Sequence, residues 1–65
     1  QQGAIYKPVT VQSNVYIGSR VTLLSGVTVE SNIVIAAGAV VTKSLKSGFI
    51  YGGVPARKIK RLELR

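Results

Sequence analysis

Sixty-five residues allow one domain, and at that length a single apolar core barely offsets the conformational entropy lost on folding, so a further source of stability is expected. The chain has no Cys and no His, which excludes disulfides and thiolate metal sites and removes the commonest general base and the commonest neutral metal ligand. Nine Lys and Arg against two carboxylates give a formal charge of +7, which favours partners bearing phosphates or carboxylates without choosing between nucleic acid, a membrane surface and a phosphorylated cofactor.

Cut into sixes from Val9, the chain reads VTVQSN VYIGSR VTLLSG VTVESN IVIAAG AVVTKS. The third place, extended back one step, is Ile5, Val11, Ile17, Leu23, Val29, Ile35 and Val41, all of them Ile, Leu or Val. The first place is Val9, Val15, Val21, Val27, Ile33 and Ala39; the fifth is small, with Ser13, Ser19, Ser25, Ser31 and Ala37. The sixth is Asn14, Arg20, Gly26, Asn32 and Gly38, and Asn and Gly enter left-handed backbone conformations at little cost. Each unit therefore predicts a short strand ending in a sharp corner.

Three strands and three corners close a triangular coil of 18 residues, and such coils stack at the strand spacing of about 4.8 Å. The predicted fold is all-β: a left-handed parallel β-helix of hexapeptide repeats, an exception to the right-handed crossover rule, with a short C-terminal helix. The stacking predicts three interior ladders: Ile5, Leu23 and Val41 on one face, Val11 over Val29 on the next, Ile17 over Ile35 on the third. An ordinary antiparallel domain of alternating strands has no reason to hold a six-residue phase over seven units. The coils are assigned to residues 1–44, and a terminal strand, loop and basic tail helix to residues 45–65.

After Ser44 the phase breaks. A turn is expected at Lys46 to Gly48 and a short strand at Phe49 to Tyr51, followed by the pair Gly52 and Gly53. Pro55 suits the first turn of a helix, and Ile59 and Leu62 would share a face with Arg57, Lys58, Lys60 and Arg61 around them. The run IVIAAGAVV at 33–41 is far short of the ~20 apolar residues that cross a bilayer, and no signal-peptide pattern opens the chain. The expectation is a soluble, cytoplasmic protein with no membrane partner.

The segment NVYIGSRVTLLSGVTVESNIVIAAGAVVTKS, followed by GGVPARKIKR, resembles the C-terminal end of the hexapeptide-repeat acyltransferases, particularly the galactoside, maltose and xenobiotic O-acetyltransferase branch. The hexads alone would be shared with other left-handed β-helices; VVTK followed by G-x-P-A-x-x-I is the more specific signal. The resemblance implies transfer of an acetyl group from acetyl-CoA to a hydroxyl or amine of a sugar or small molecule, in a homotrimer that holds the CoA thioester between subunits along the corners of adjacent coils. Positions matching Ser19, Ala37, Thr42 and Lys43 contact the cofactor in the resembled enzymes, and Arg57 and Lys60 match tail positions that meet the CoA phosphates. Ser19 and Ala37, 18 apart, also serve simple corner packing, and Arg57 and Lys60 also suit a solvated face. Tyr16 stands where the family often has Trp beside the thioester, and equally suits a trimer contact.

One departure outweighs the agreements. In the family an upstream His deprotonates the acceptor; this chain has none, and by the family spacing it would lie before Gln1. Neither Glu30 nor Glu63 has a visible reason to replace it, so no catalytic residue and no metal ligand is assigned, and the chain reads as the cofactor half of an acyltransferase, a fragment or truncated member. A γ-class carbonic anhydrase is excluded for want of three His ligands. An ice-binding surface is excluded because Thr10 and Thr28 stack while Thr22 belongs to another face. A nucleic-acid partner is not expected, since Phe49 and Tyr51 lie outside the basic cluster. A non-catalytic structural β-helix is the competing reading.

Overall fold

At the end of every hexad the backbone does what the sixth residue permits. Asn14, Arg20, Gly26, Asn32 and Gly38 all have φ between 57° and 83°, the left-handed region that turns the chain through a corner. The computed structural model describes residues 7–63, and its regular elements are all strands. They are β1 (Thr10–Val11), β2 (Val15–Ile17), β3 (Thr22–Leu23), β4 (Thr28–Val29), β5 (Ile33–Ile35), β6 (Val40–Val41), β7 (Phe49–Gly52) and β8 (Arg57–Arg61).

The strands build three faces. The first carries β1–β4, the second β2–β5–β7–β8 and the third β3–β6. All pairs are parallel except β7–β8. Val11 sits over Val29, Ile17 over Ile35 and Leu23 over Val41, which are the predicted ladders; Ile5 lies outside the described residues. First-place and third-place side chains point inward: Val27, Val29, Ile33, Ile35, Ala39 and Val41 are all buried. Each such side chain contributes roughly 1.5–3 kcal/mol when fully buried, Ala much less.

The core column does not stop at Val41. Leu45 and Tyr51 are also buried, with Leu45 bridged to Val29 and Tyr51 in register with Ile35. Between the first and second coils partners are 18 apart, as Thr10 and Thr28 are; Val29 and Leu45, or Ile35 and Tyr51, are 16 apart. The corner of Thr42, Lys43 and Ser44 is thus two residues short. The Ser44 hydroxyl fills the gap, accepting the Thr28 N–H at 2.9 Å.

The expected C-terminal helix is not present among the described residues. Residues Arg57 to Arg61 form β8, antiparallel to β7, with a bulge where Ile59 has no partner between Ile50 and Tyr51. A helix this short is marginal unless packing supports it, whereas β7 offers an unpaired row of backbone groups on its outer side. The chain reverses at Gly53 (φ 96°) and satisfies that row, and the stem of Lys58 carries its ammonium 4.1 Å from the Phe49 ring centre. β8 is exposed along its whole length, and its four cations make a poor template for further pairing with a like strand.

Candidate cofactor site

Small residues pave the corner between the second and third faces. Gly18 has to be small: a Cβ there would stand 2.6 Å from the Ala37 backbone nitrogen and 2.9 Å from its Cα. That closeness seats Ser19 against the next coil, where its carbonyl accepts the Gly38 N–H at 2.9 Å, with Ala37 exposed beside it. One coil further, a Cβ on Gly52 would meet the Ile59 side chain at 2.7 Å and Ala36 at 3.2 Å. Ser19 and Ala37 are therefore brought to one corner, as their spacing predicts.

Thr42 and Lys43 are not at that corner. They occupy the next one, between the third and first faces, so the two pairs flank the third face, with β6 between them. All four are exposed, and an extended ligand arm lying across the third face would pass from one pair to the other. Arg57 opens β8 opposite Gly52, at the C-terminal end of the Ser19–Ala37 corner. Lys60 pairs with Ile50, further along the second face. The structure thus places Arg57 close to the predicted corner and sets Lys60 apart from it.

Sequence reasoning missed the clasp that closes the third face. Val40 donates its N–H to the Gly53 carbonyl (3.0 Å) and accepts the Ala56 N–H (2.8 Å), so the loop from Gly53 to Ala56 grips both sides of one outward residue. The signal is the GGVPA stretch, which in the sequence alone suits the approach to a helix equally well. Gly18 was likewise legible only as a fourth-place small residue, because nothing in one hexad reports how near the next coil lies.

Glu30 lies at the corner between the first and second faces. Its carboxylate accepts the Ser47 N–H at 3.0 Å and the Ser47 hydroxyl at 3.2 Å, with the Lys46 ammonium 3.7 Å away. The Ser47 N–H, aided by that hydroxyl and Lys46 against a smaller desolvation cost, holds its carboxyl below the usual carboxylate value. A carboxylate so engaged is a weak base, so Glu30 does not stand in for a proton acceptor. Tyr16 is exposed on the second face beside a groove that Asn14, Asn32, Val34 and Leu62 help to line. That groove is separate from the third face.

Residues 8–43 match the family described as bacterial transferase hexapeptide (six repeats). The chain is 41% identical to the galactoside O-acetyltransferase of Escherichia coli (strain K12) over 66 residues, all of this chain and 32% of that protein. It is 50% identical over 54 residues to the 2,3,4,5-tetrahydropyridine-2,6-dicarboxylate N-acetyltransferase of Staphylococcus carnosus (strain TM300), 83% of this chain and 23% of that protein. A solved structure of galactoside acetyltransferase in complex with coenzyme A superposes with a TM-score of 0.85 at 42% identity, covering 88% of this chain and 28% of that one. The chain thus spans about a third or less of the length of these relatives. Its coil is the left-handed parallel β-helix of the hexapeptide acetyltransferases. The repeat, the coil and the matching sequence together make this chain a member of the bacterial transferase hexapeptide family.

Proposed function

We propose that this chain is the coenzyme A-binding end of an acetyltransferase, holding acetyl-CoA as the acyl donor for transfer to a hydroxyl or amine of a sugar or small molecule. The observation that carries the reading is the likeness to the CoA-bound galactoside acetyltransferase, which extends over 88% of this chain. The geometry supports it. Ser19 and Ala37 offer backbone groups at one edge of the third face, much as an edge strand does to an extended ligand. Thr42 and Lys43 bound the other edge, and Arg57 supplies a cation at the C-terminal end of the same corner, with Lys60 further out on β8. Phosphate groups are what such cations recognise.

Chemistry is a separate matter. Transfer to a hydroxyl or amine needs a group that takes its proton, and the chain offers no His and a Glu30 already committed to Ser47. The 65 residues alone therefore bind the donor and show no acetyl transfer above background to sugars or chloramphenicol. A homotrimer about a threefold axis completes the reading: it supplies burial that a small coil lacks and sets the third face of one copy opposite a neighbour. A cytoplasmic setting accompanies acetyl-CoA as donor. Calorimetry with CoA tests the proposal. Binding that weakens when Arg57 and Lys60 are both changed to Ala, more for CoA than for dephospho-CoA, supports it; no heat with millimolar CoA moves the reading to a structural β-helix.

A further inference from the structure

We propose that Phe49 is a positioning residue: its ring holds Lys58 and Arg61 on one side of β8, so that Arg57 and Lys60 stand together on the other, the side of the cofactor corner. The inference rests on the reading of this end as a coenzyme A site. In an unbroken strand residues three apart face opposite ways, and Arg57 would then turn away from Lys60. β8 is not unbroken. Phe49 pairs with Arg61, Ile50 with Lys60, Tyr51 with Lys58 and Gly52 with Arg57, and the extra residue, Ile59, is absorbed as a bulge. Partners across an antiparallel pair share a side. Phe49 and Tyr51 belong to the core cluster or pack against it, so Lys58 and Arg61 lie on the inner side. Arg57 and Lys60 share the outer side with Gly52 and Ile50. A Cβ on Gly52 would meet Ala36, which precedes the corner residue Ala37, so this outer side is the one that carries the corner.

The ring keeps the strand in that setting. β8 carries four cations within five residues, and among the described residues no carboxylate pairs with them, the one ion pair being that of Lys46 with Glu30. Neighbouring like charges repel, which works to peel the strand from β7. Phe49 opposes this. It lies outside the basic run in the sequence and beside it in the fold, with the Lys58 ammonium 4.1 Å and the Arg61 guanidinium 6.0 Å from its ring centre. The ring is itself fixed, meeting Tyr51 edge to face with centres 6.3 Å apart. A π face attracts cations without carrying a net charge. A carboxylate in its place would hold the strand too, but would cancel part of the field that Arg57 and Lys60 direct at a phosphate. Phe49 leaves that field whole.

The test uses Phe49→Leu, which keeps an apolar side chain against the core and removes the π face, beside Phe49→Tyr, which keeps the face. Titration is expected to show Phe49→Leu weakening CoA about two- to fivefold and dephospho-CoA less, with Phe49→Tyr restoring both. Amide exchange should quicken at Leu62, whose N–H closes the far end of β8 on the Gly48 carbonyl at 2.8 Å. It should stay slow at Ala56, held on Val40 at 2.8 Å. Unchanged affinity and exchange in Phe49→Leu overturn the proposal, as do equal losses in the two variants, which would make the ring mere packing. Should the unmodified chain bind neither ligand, the cofactor reading falls, and exchange at Leu62 alone decides for or against the hold on β8. If Phe49→Leu does not fold, proton shifts of the Lys58 ε-methylene in the unmodified chain decide. Displacement upfield by the ring current supports the contact, and shifts of an unstructured lysine overturn it.

Discussion

Gly18 holds the place where two coils come closest, and its missing Cβ is what admits the Ala37 backbone. Gly18→Ala forces that backbone to move, at a cost of about 1–3 kcal/mol, and should lower CoA affinity as well because the displaced residue belongs to the corner proposed to hold the cofactor. Thermal unfolding and calorimetry on one sample read the two losses together. Arg20 makes the opposite case. It holds φ 59° with a long side chain where Asn14 and Asn32 perform the same turn, so Arg20→Asn should raise stability by about 0.5–1 kcal/mol, several degrees in Tm for a domain this small. Tyr51 is a third kind of residue, buried yet polar at its tip. Its hydroxyl accepts the Lys46 N–H at 2.9 Å and donates to the Lys46 carbonyl at 3.2 Å, so Tyr51→Phe leaves two backbone groups short of a partner and should cost about 1–2 kcal/mol by denaturant titration.

At the scale of elements, what the sequence made legible was whatever the six-residue phase repeats. The inward column, the left-handed corners and the parallel ladders all follow from residue types recurring at fixed places, as Val11, Val29 and Asn32 show. The tail repeats nothing, so Ile59 and Leu62 could be read as one helical face. What decides the matter is the unpaired side of β7, a tertiary fact with no local trace. The site was legible to the same extent. Ser19 and Ala37 share a corner because they are 18 residues apart, and Lys43, six residues after Ala37, falls one corner further on by the same count, with Thr42 beside it. The Glu30 corner adds a pH dependence. Its carboxyl is held below the ordinary 4.5 in the folded chain, so the stabilisation from Ser47 and Lys46 is present above that value and lost as pH falls through the lower folded one. Tm curves of the unmodified chain and Glu30→Gln should separate above this range and converge in acid.

Taken whole, the molecule is a sparsely charged coil with a strongly basic end, and its response to salt should divide along that line. CoA affinity should fall about tenfold or less between low and high salt, since each exposed cation contributes only about 0–1 kcal/mol, while thermal stability, resting on Val29, Ile33, Ile35 and Val41, should scarcely change. Isothermal titrations across a salt series check the first, and melting curves the second. The shortened corner at Thr42 to Ser44 carries one more consequence, for which lengths of chain the fold can absorb. Going from 18 to 16 residues between coils removes an even number, and in extended chain an even change leaves every later side chain on its own side. Leu45 and Tyr51 therefore still face the core. Lengthening that corner by two residues restores the full coil and should leave a folded protein. Lengthening it by one turns both side chains out to water and brings Lys46 and Ile50 toward the centre. The tolerance of this corner to insertion should alternate with the parity of what is added.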